Sequence, residues 1–168
     1  YDTIGGGNFR QLITPWLNPT SDLAQQRFRA WCQGKTGFPF VDAGMRQLNA
    51  IGWMHNYARM ATASLLSLIL NLDWHQGEHY FAIQLVDYSI ASNNGNWQWI
   101  AQVGTDRPRG GLRFINPFRY SLLHDSEAIY IKRWIPELAT VPARAIHRWD
   151  KQANYYPNSN YPAPIVDY

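Results

Sequence analysis

No stretch of this sequence alternates apolar and polar residues for long enough to form a half-buried β-strand. Apolar residues recur instead at helical spacing, as Val41, Met45 and Leu48 do before Gly52 ends the run. Apolar residues make up 46% of the chain and charged residues 16%, which is enough apolar surface for a core. The sequence therefore predicts an all-α fold, a helical bundle.

Capping residues and glycines divide the chain into segments. Residues 1–20 contain three consecutive glycines and two prolines, which predicts a poorly tethered lead-in. Ser21-Asp22 is typical of a helix start, and that helix is expected to stop at Gly34. Residues 21–168 are predicted to form one helical domain. Its later helices are expected at about 41–52, 56–70, 73–95, 97–103 and 127–134.

Cysteine content and hydropathy bear on the compartment. Cys32 is the single cysteine, so the chain cannot build an internal disulfide framework, and a reducing compartment fits. The longest apolar stretch, residues 61–70, is too short to span a bilayer and is interrupted by Thr62, Ser64 and Ser67. We expect a cytoplasmic protein without membrane contact. The net charge of +3 permits a polyanionic partner without requiring one.

Two common site types do not fit the motifs present. Gly34-Lys35-Thr36 lacks the earlier glycine of a phosphate-binding loop, because position 29 is arginine. His75 and His79 are four residues apart with Glu78 between them, but a metal site would need a third ligand from elsewhere, and a solvated helix face explains the pair. No metal site is predicted.

A cluster of rings, amides and one arginine remains as the candidate site. Helical geometry places Asn56, Arg59 and Met60 on one face, and residues 85–99 add an aspartate, several asparagines and two tryptophans. Such a set suits a flat heterocycle with a polar edge, such as an isoalloxazine ring. A tryptophan-rich core with capping asparagines explains the same pattern. Periodicity alone leaves both interpretations open.

Three long motifs carry a resemblance to a known family. Residues 36–48, 52–56 and 93–99 resemble the C-terminal, flavin-binding half of the photolyase/cryptochrome family, and are most similar to its DNA-repair photolyases. Shorter matches such as Asp73-Trp74 and residues 134–138 follow in the same order. The resemblance implies an all-helical domain that binds FAD. It also implies light-driven electron transfer to a pyrimidine dimer flipped out of DNA, which would make the whole protein a lyase.

The same resemblance implies roles for individual residues. The flavin cavity would be lined by Trp53, Asn56, Arg59, Asp87, Ser89, Asn93 and Trp97. Asn93 would face the ring nitrogen that controls the flavin's redox state. An electron relay would run through Trp97, Trp74 and Trp16. The DNA lesion would be faced by Trp99, Asn56, Tyr57, Met60 and Arg113.

Departures from the family pattern define an alternative. Tyr57 stands where repair photolyases have arginine, and Ser89 stands where they have a second flavin-facing aspartate. Complete members also carry an N-terminal antenna domain and a phosphate-gripping segment, so we expect a second chain or an N-terminal segment to complete the site. The alternative is a non-catalytic helical module that has lost the flavin. Its exposed rings near Trp99 and Tyr57 would then bind a protein partner.

Overall fold

Helices are the regular secondary structure of the described part of the chain, which in this computed structural model comprises residues 16–104 and 115–167 and contains no strand. The all-α prediction is confirmed. The α-helices are α1 (Asp22–Cys32), α2 (Pro39–Ile51), α3 (Asn56–Ser64), α4 (Trp74–Gln84), α5 (Ile90–Ala101), α6 (Pro117–His124), α7 (Ile129–Trp134), α8 (Ala143–Ile146) and α9 (Trp149–Gln152). A π-helical turn covers Leu65–Ile69, and 3₁₀ turns cover Pro136–Leu138, Ala153–Tyr155 and Pro157–Ser159.

Several helix boundaries follow the local signals in the sequence. The Ser21 hydroxyl accepts a hydrogen bond from the Ala24 N–H at 3.3 Å, and the Asp73 carboxylate accepts one from the His75 N–H at 3.0 Å. Both bonds satisfy a free N–H at a helix start. Gly52 ends α2 in the left-handed region, with φ of +69°. These three predicted boundaries are confirmed.

The predicted helices at 73–95 and 97–103 are wrong in their boundaries. Helix α4 ends at Gln84, and residues 93–95 lie inside α5, which continues to Ala101. Asparagine and glycine interrupt helices in isolation, but the Asn93 amide is hydrogen-bonded to Glu78 of α4. Tertiary contacts therefore override the local propensity. The predicted helix at 56–70 likewise changes to a π-turn after Ser64, where the Leu70 N–H bonds to the Leu65 carbonyl at 2.8 Å.

Trp31 is the centre of the core that α1 shares with its neighbours. Its ring is fully buried, stacks on Phe81 of α4 at 6.0 Å, and meets the edge of Trp97 of α5 at 6.2 Å. Its indole N–H donates to the Thr62 carbonyl of α3 at 3.0 Å, which satisfies its one polar group. One side chain thus fixes α1, α3, α4 and α5 relative to one another.

A buried carboxylate joins α2 to the C-terminal segment. Asp42 accepts hydrogen bonds from the Thr36 hydroxyl at 2.6 Å, the Thr36 N–H at 3.0 Å and the Gly37 N–H at 2.9 Å. The Tyr161 hydroxyl donates a fourth. Burial raises the pKa of Asp42, and these donors oppose that rise because they favour the charged form. The segment after α9 contains two short 3₁₀ turns and irregular backbone, and hydrogen bonds fix it to α2 and to the loop before α2.

The predicted lead-in, 1–20, lies mostly outside the described residues. At its described end, the Leu17 N–H donates to the Asn71 carbonyl at 2.9 Å, and Trp16 and Leu17 pack partly buried against the core. The domain boundary after residue 20 remains a prediction.

Candidate cofactor cavity

A cavity of about 420 Å³ opens between α3, α4 and α5. That volume is in the range of small-molecule sites. Its apolar lining comes from Met60, Ala63, Phe81, Leu85, Trp97, Trp99 and Ile100. Its polar lining comes from Asn56, Arg59, Asp87, Tyr88, Ser89, Ser92, Asn93 and Asn96, with Gly95 between the last two. A mostly apolar wall with a few polar groups is what a flat, amphipathic ligand requires.

An ion pair fixes the charges on one wall of the cavity. One terminal nitrogen of Arg59 donates to both carboxylate oxygens of Asp87, at 2.8 and 3.0 Å. The Arg59 Nε also donates to the Met54 carbonyl at 2.7 Å. Because the pair is half-exposed, it adds little to the free energy of unfolding. Its structural effect is to hold a guanidinium and a carboxylate side by side at the cavity wall.

Asn93 is oriented by α4. It lies in the first turn of α5, is almost fully buried, and donates through Nδ2 to the Glu78 carbonyl at 3.0 Å and to the Glu78 Oε1 at 3.1 Å. Both amide hydrogens of Asn93 are therefore used in hydrogen bonds to Glu78. The amide oxygen is therefore the group that Asn93 can offer to a hydrogen-bond donor in the cavity.

Trp97 forms the inner wall, and Gly77 makes room for it. The indole is only 2% exposed and meets the edge of Phe81 at 5.1 Å. A Cβ at Gly77 would lie 2.2 Å from the Trp97 Cη2, which no real contact permits. Gly77 is therefore required by the close approach of this ring to the backbone of α4.

Gly95 leaves the opposite side of the cavity open. A Cβ built at this glycine has no heavy atom within 4 Å. Its neighbours on the lining, Ser92 and Asn96, are exposed. Ser89 starts α5 without using its hydroxyl as a cap, so that hydroxyl is available at the rim. This side of α5 therefore offers both open space and hydrogen-bonding groups to a ligand.

The cavity brings together most of the predicted flavin residues. Six of the seven line it: Asn56, Arg59, Asp87, Ser89, Asn93 and Trp97. Trp53 is not in the lining. It follows the left-handed turn at Gly52, is 40% exposed, and contacts the His55 ring edge-on.

The residues predicted to face DNA are divided. Met60 and Trp99 line the cavity together with Asn56. Tyr57 points elsewhere and stacks on His124, with ring centroids 4.0 Å apart. Arg113 lies outside the described residues.

The three tryptophans of the predicted relay differ in their surroundings. Trp74 is buried one helical turn before Gly77 on α4, on the side that Trp97 contacts, and it stacks on His75. Trp16 packs partly buried against the core. The Trp97 ring contacts Phe81 and Trp31, neither of which belongs to the predicted relay.

Sequence reasoning missed two residues that shape the site. Glu78 orients Asn93 although the two are fifteen positions apart, and only the pairing of α4 with α5 reveals the contact. Gly77 showed no local signal beyond being a glycine within a helical pattern. An interior helix glycine costs stability unless packing requires it, and that is the signal that could have identified it.

The described residues form a helical domain with a cavity suited to a small molecule, and comparison with known proteins identifies its class. The family model described as the FAD binding domain of DNA photolyase matches residues 7–168. The chain is 45% identical to the deoxyribodipyrimidine photo-lyase of Salmonella typhimurium over 161 residues, covering 92% of this chain and 33% of the relative. It is 47% identical to the enzyme of the same name from Escherichia coli over 143 residues, covering 83% and 30%.

Solved structures agree. An archaeal photolyase from Sulfolobus tokodaii, described with two FAD molecules, matches with a TM-score of 0.75 and 43% identity over 89% of this chain and 33% of that one. A cryptochrome from Synechocystis matches with a TM-score of 0.79 and 36% identity over 90% and 32%. The chain belongs to the family of photolyase FAD-binding domains. It spans about a third of the length of the curated relatives it matches.

Two negative findings concern the described residues only. No helix within 16–104 or 115–167 is long and apolar enough to cross a membrane. In that same part of the chain, no three His, Cys, Asp or Glu side chains are grouped so that they could hold a metal ion.

Proposed function

We propose that this chain holds FAD in the cavity between α3, α4 and α5 and works as the flavin-binding part of a light-driven DNA photolyase. The observation that carries the proposal is the cavity itself, where six residues predicted for flavin contact meet around a space of about 420 Å³. Membership of the FAD-binding family supports the choice of ligand.

The residues present fit a flavin. The Arg59–Asp87 pair offers a donor and an acceptor side by side, which suits the alternating polar edge of an isoalloxazine ring. Trp97 and Phe81 offer apolar ring surface, and the open space at Gly95 leaves room for the ligand. When bound, FAD supplies photoexcited single-electron transfer. The chain's own contribution is to bind it, orient it and keep water away from its inner side.

Individual residues receive roles within this proposal. The Asn93 oxygen accepts a hydrogen bond from a protonated ring nitrogen, and Glu78 holds it in that orientation. Trp97 would supply the electron to the flavin, because it is a buried tryptophan that lines the cavity, and Trp74 and Trp16 would be the later members of the relay. Asn56, Met60 and Trp99 face a DNA lesion from the cavity. Tyr57 and Arg113 are assigned to DNA binding by the resemblance to repair photolyases.

Another polypeptide segment, from the same protein or a second chain, completes the site. The side of the cavity formed by residues 87–92 is exposed, and apolar side chains border it: Ile83 is 66% exposed, Val86 79% and Ile90 66%. Exposed apolar groups beside an open cavity are typical of an interface. A cytoplasmic location belongs to the same proposal, since its single cysteine suits a reducing compartment.

The visible absorption spectrum of the purified chain, with and without added FAD, tests the cofactor. We expect a flavin band that survives gel filtration. Asn56→Ala should weaken FAD retention roughly tenfold through loss of a polar contact. His75→Ala is the matched control, because His75 is exposed on α4 and paired with Asp73 outside the cavity. Equal retention in the two variants would argue against this cavity, and a colourless protein that ignores FAD would favour the flavin-free module.

A further inference from the structure

The His75 imidazole is stacked on the Trp74 indole at the start of α4. The two ring centroids lie 3.9 Å apart, with an angle of 28° between the ring planes. The rings differ in their access to solvent, because Trp74 is 5% exposed whereas the side chain of His75 is 64% exposed. A titratable ring at the surface is therefore in direct contact with a buried indole.

Asp73 holds the imidazole in this position. The His75 Nδ1 lies 2.7 Å from the Asp73 Oδ1, and the same oxygen accepts a hydrogen bond from the His75 N–H at 3.0 Å. An ionised carboxylate only accepts hydrogen bonds, so the Nδ1 carries a proton and the Nε2 is the atom that gains or loses one. Because Asp73 is also the N-cap of α4, the start of the helix itself fixes the orientation of the ring.

Few other charges surround the pair in the part of the chain that the structure describes. Helix α5 and the π-helical turn, which both pack against α4, contain no charged or titratable residue. On α4 itself, Glu78 and His79 come three and four residues after His75. On α1, Arg27 donates to a backbone carbonyl just after the π-helical turn, at 2.9 Å. Near neutral pH, the charge that changes in contact with Trp74 is therefore that of His75.

We propose that the charge of His75 controls how readily Trp74 gives up an electron in the relay. The inference rests on the proposed function, in which Trp97 gives one electron to the photoexcited flavin. In the next step Trp74 is oxidised by one electron and Trp97 is reduced to its neutral state, so the positive charge moves to Trp74 and no proton is transferred. A neutral imidazole tolerates that positive charge, whereas an imidazolium at 3.9 Å repels it.

The expected effect is a pH-dependent yield of flavin photoreduction. Slow oxidation of Trp74 gives the electron time to return to Trp97, which lowers the yield. The side chain of His75 is mostly exposed, so solvent and salt screen the repulsion and keep the effect moderate. We expect the wild-type yield to fall roughly threefold between about pH 8.5 and about pH 5.5, the range in which histidine gains its charge.

Loss of flavin absorbance under blue light, with excess thiol as the final reductant, measures this yield in the FAD-loaded protein. His75→Phe keeps a flat ring on Trp74 without a charge, so its yield should stay at the high wild-type value at both ends of the pH range. His79→Gln is the matched control, because it removes another exposed histidine from the same helix. It should keep the wild-type dependence on pH.

The shape of the pH profile distinguishes an electrostatic role from a structural one. If His75 only supported the indole by packing, its replacement would change the yield by the same factor at every pH. A wild-type yield that is independent of pH would overturn the proposal, and so would the same fall in His75→Phe as in wild type. Loss of the pH dependence in His79→Gln would also overturn it. Proton uptake by the flavin is common to all variants, so the difference between wild type and His75→Phe is the decisive quantity.

FAD retention and Trp74→Phe, measured alongside, separate this proposal from the proposed function. A protein that does not retain FAD refutes the flavin assignment and the role of His75 together. FAD retention with an unchanged yield in Trp74→Phe refutes the relay, and with it the role of His75, but leaves the flavin assignment standing. A yield that falls in Trp74→Phe but shows no dependence on His75 refutes the role of His75 alone.

Discussion

The contact between Gly77 and Trp97 gives the sharpest test of how the cavity wall is built. In Gly77→Ala the new methyl carbon would lie 2.2, 2.7 and 2.8 Å from three carbons of the Trp97 ring. The ring cannot retreat inward, because Phe81 and Trp31 already contact it at 5.1 and 6.2 Å between centroids. The substitution must therefore push Trp97 toward the cavity or separate α4 from α5.

The expected magnitude follows from two opposing effects. Overpacking a well-filled core costs about 1–3 kcal/mol. Replacing an interior helix glycine by alanine returns up to about 1 kcal/mol of helix propensity. A contact of 2.2 Å with a ring that is held on its other sides lies in the upper part of the overpacking range, so we expect a net loss of about 1–2 kcal/mol in the free energy of unfolding. For a chain of 168 residues this corresponds to a fall in melting temperature of roughly 2–8 °C.

Gly95→Ala is the matched control, because it is the same substitution inside the neighbouring helix. Nothing lies within 4 Å of the new methyl group, so only the gain of about 1 kcal/mol in helix propensity remains. Urea unfolding followed by tryptophan fluorescence measures both variants without FAD. Gly77→Ala as stable as wild type, or Gly95→Ala destabilised to the same degree, would refute the packing argument. Gly95→Ala should bind FAD less tightly than wild type, although it unfolds at a higher urea concentration, because its methyl group occupies cavity space.

Three further predictions concern other parts of the fold. Asp42→Asn should lower the free energy of unfolding by about 3 kcal/mol, measured by urea titration, because an amide NH₂ would face buried donors such as the Tyr161 hydroxyl. Burial raises the pKa of Glu137, but the hydrogen bonds from Arg46 lower it by more, so the net shift of this pKa is downward. The ion pair therefore stabilises the folded protein fully at pH values above the pKa of Glu137 in the unfolded state, and this stability is lost as the pH falls through its pKa in the folded state. Glu137→Gln should flatten the acid side of a plot of melting temperature against pH. Burial raises the pKa of Cys32 to about 12, so a thiol reagent should label it slowly at neutral pH until denaturant is added.

Local signals in the sequence were enough for the fold class and for several boundaries. Ser21 and Asp73 cap helices, and Gly52 ends one, through interactions that span at most four residues. The same holds for one wall of the site, because Asn56, Arg59 and Met60 share a helix face whenever α3 forms. Spacing on a single helix is therefore readable from the sequence.

The rest of the site depends on contacts between helices. Residues 93–95 favour a break locally, and the helix continues through them because Asn93 bonds to Glu78 and Trp97 packs over Gly77. Trp53 was assigned to the cavity by resemblance, but the backbone after Gly52 places its ring against His55, outside the cavity lining. Only the three-dimensional arrangement of α3, α4 and α5 reveals these placements.

The sequence of α5 lowers the stability of the helix but provides space and polar groups for a ligand. Four consecutive residues, 93–96, are asparagine or glycine, and together they cost about 3 kcal/mol relative to alanine in a helix interior. Of these four, Asn93, Gly95 and Asn96 line the cavity, and Asn93 bonds to α4. A scaffold kept only for its fold would gain stability from almost any replacement at Gly95, where a side chain meets nothing. The open space there is explained when a ligand occupies it, which favours a retained cofactor over a flavin-free module.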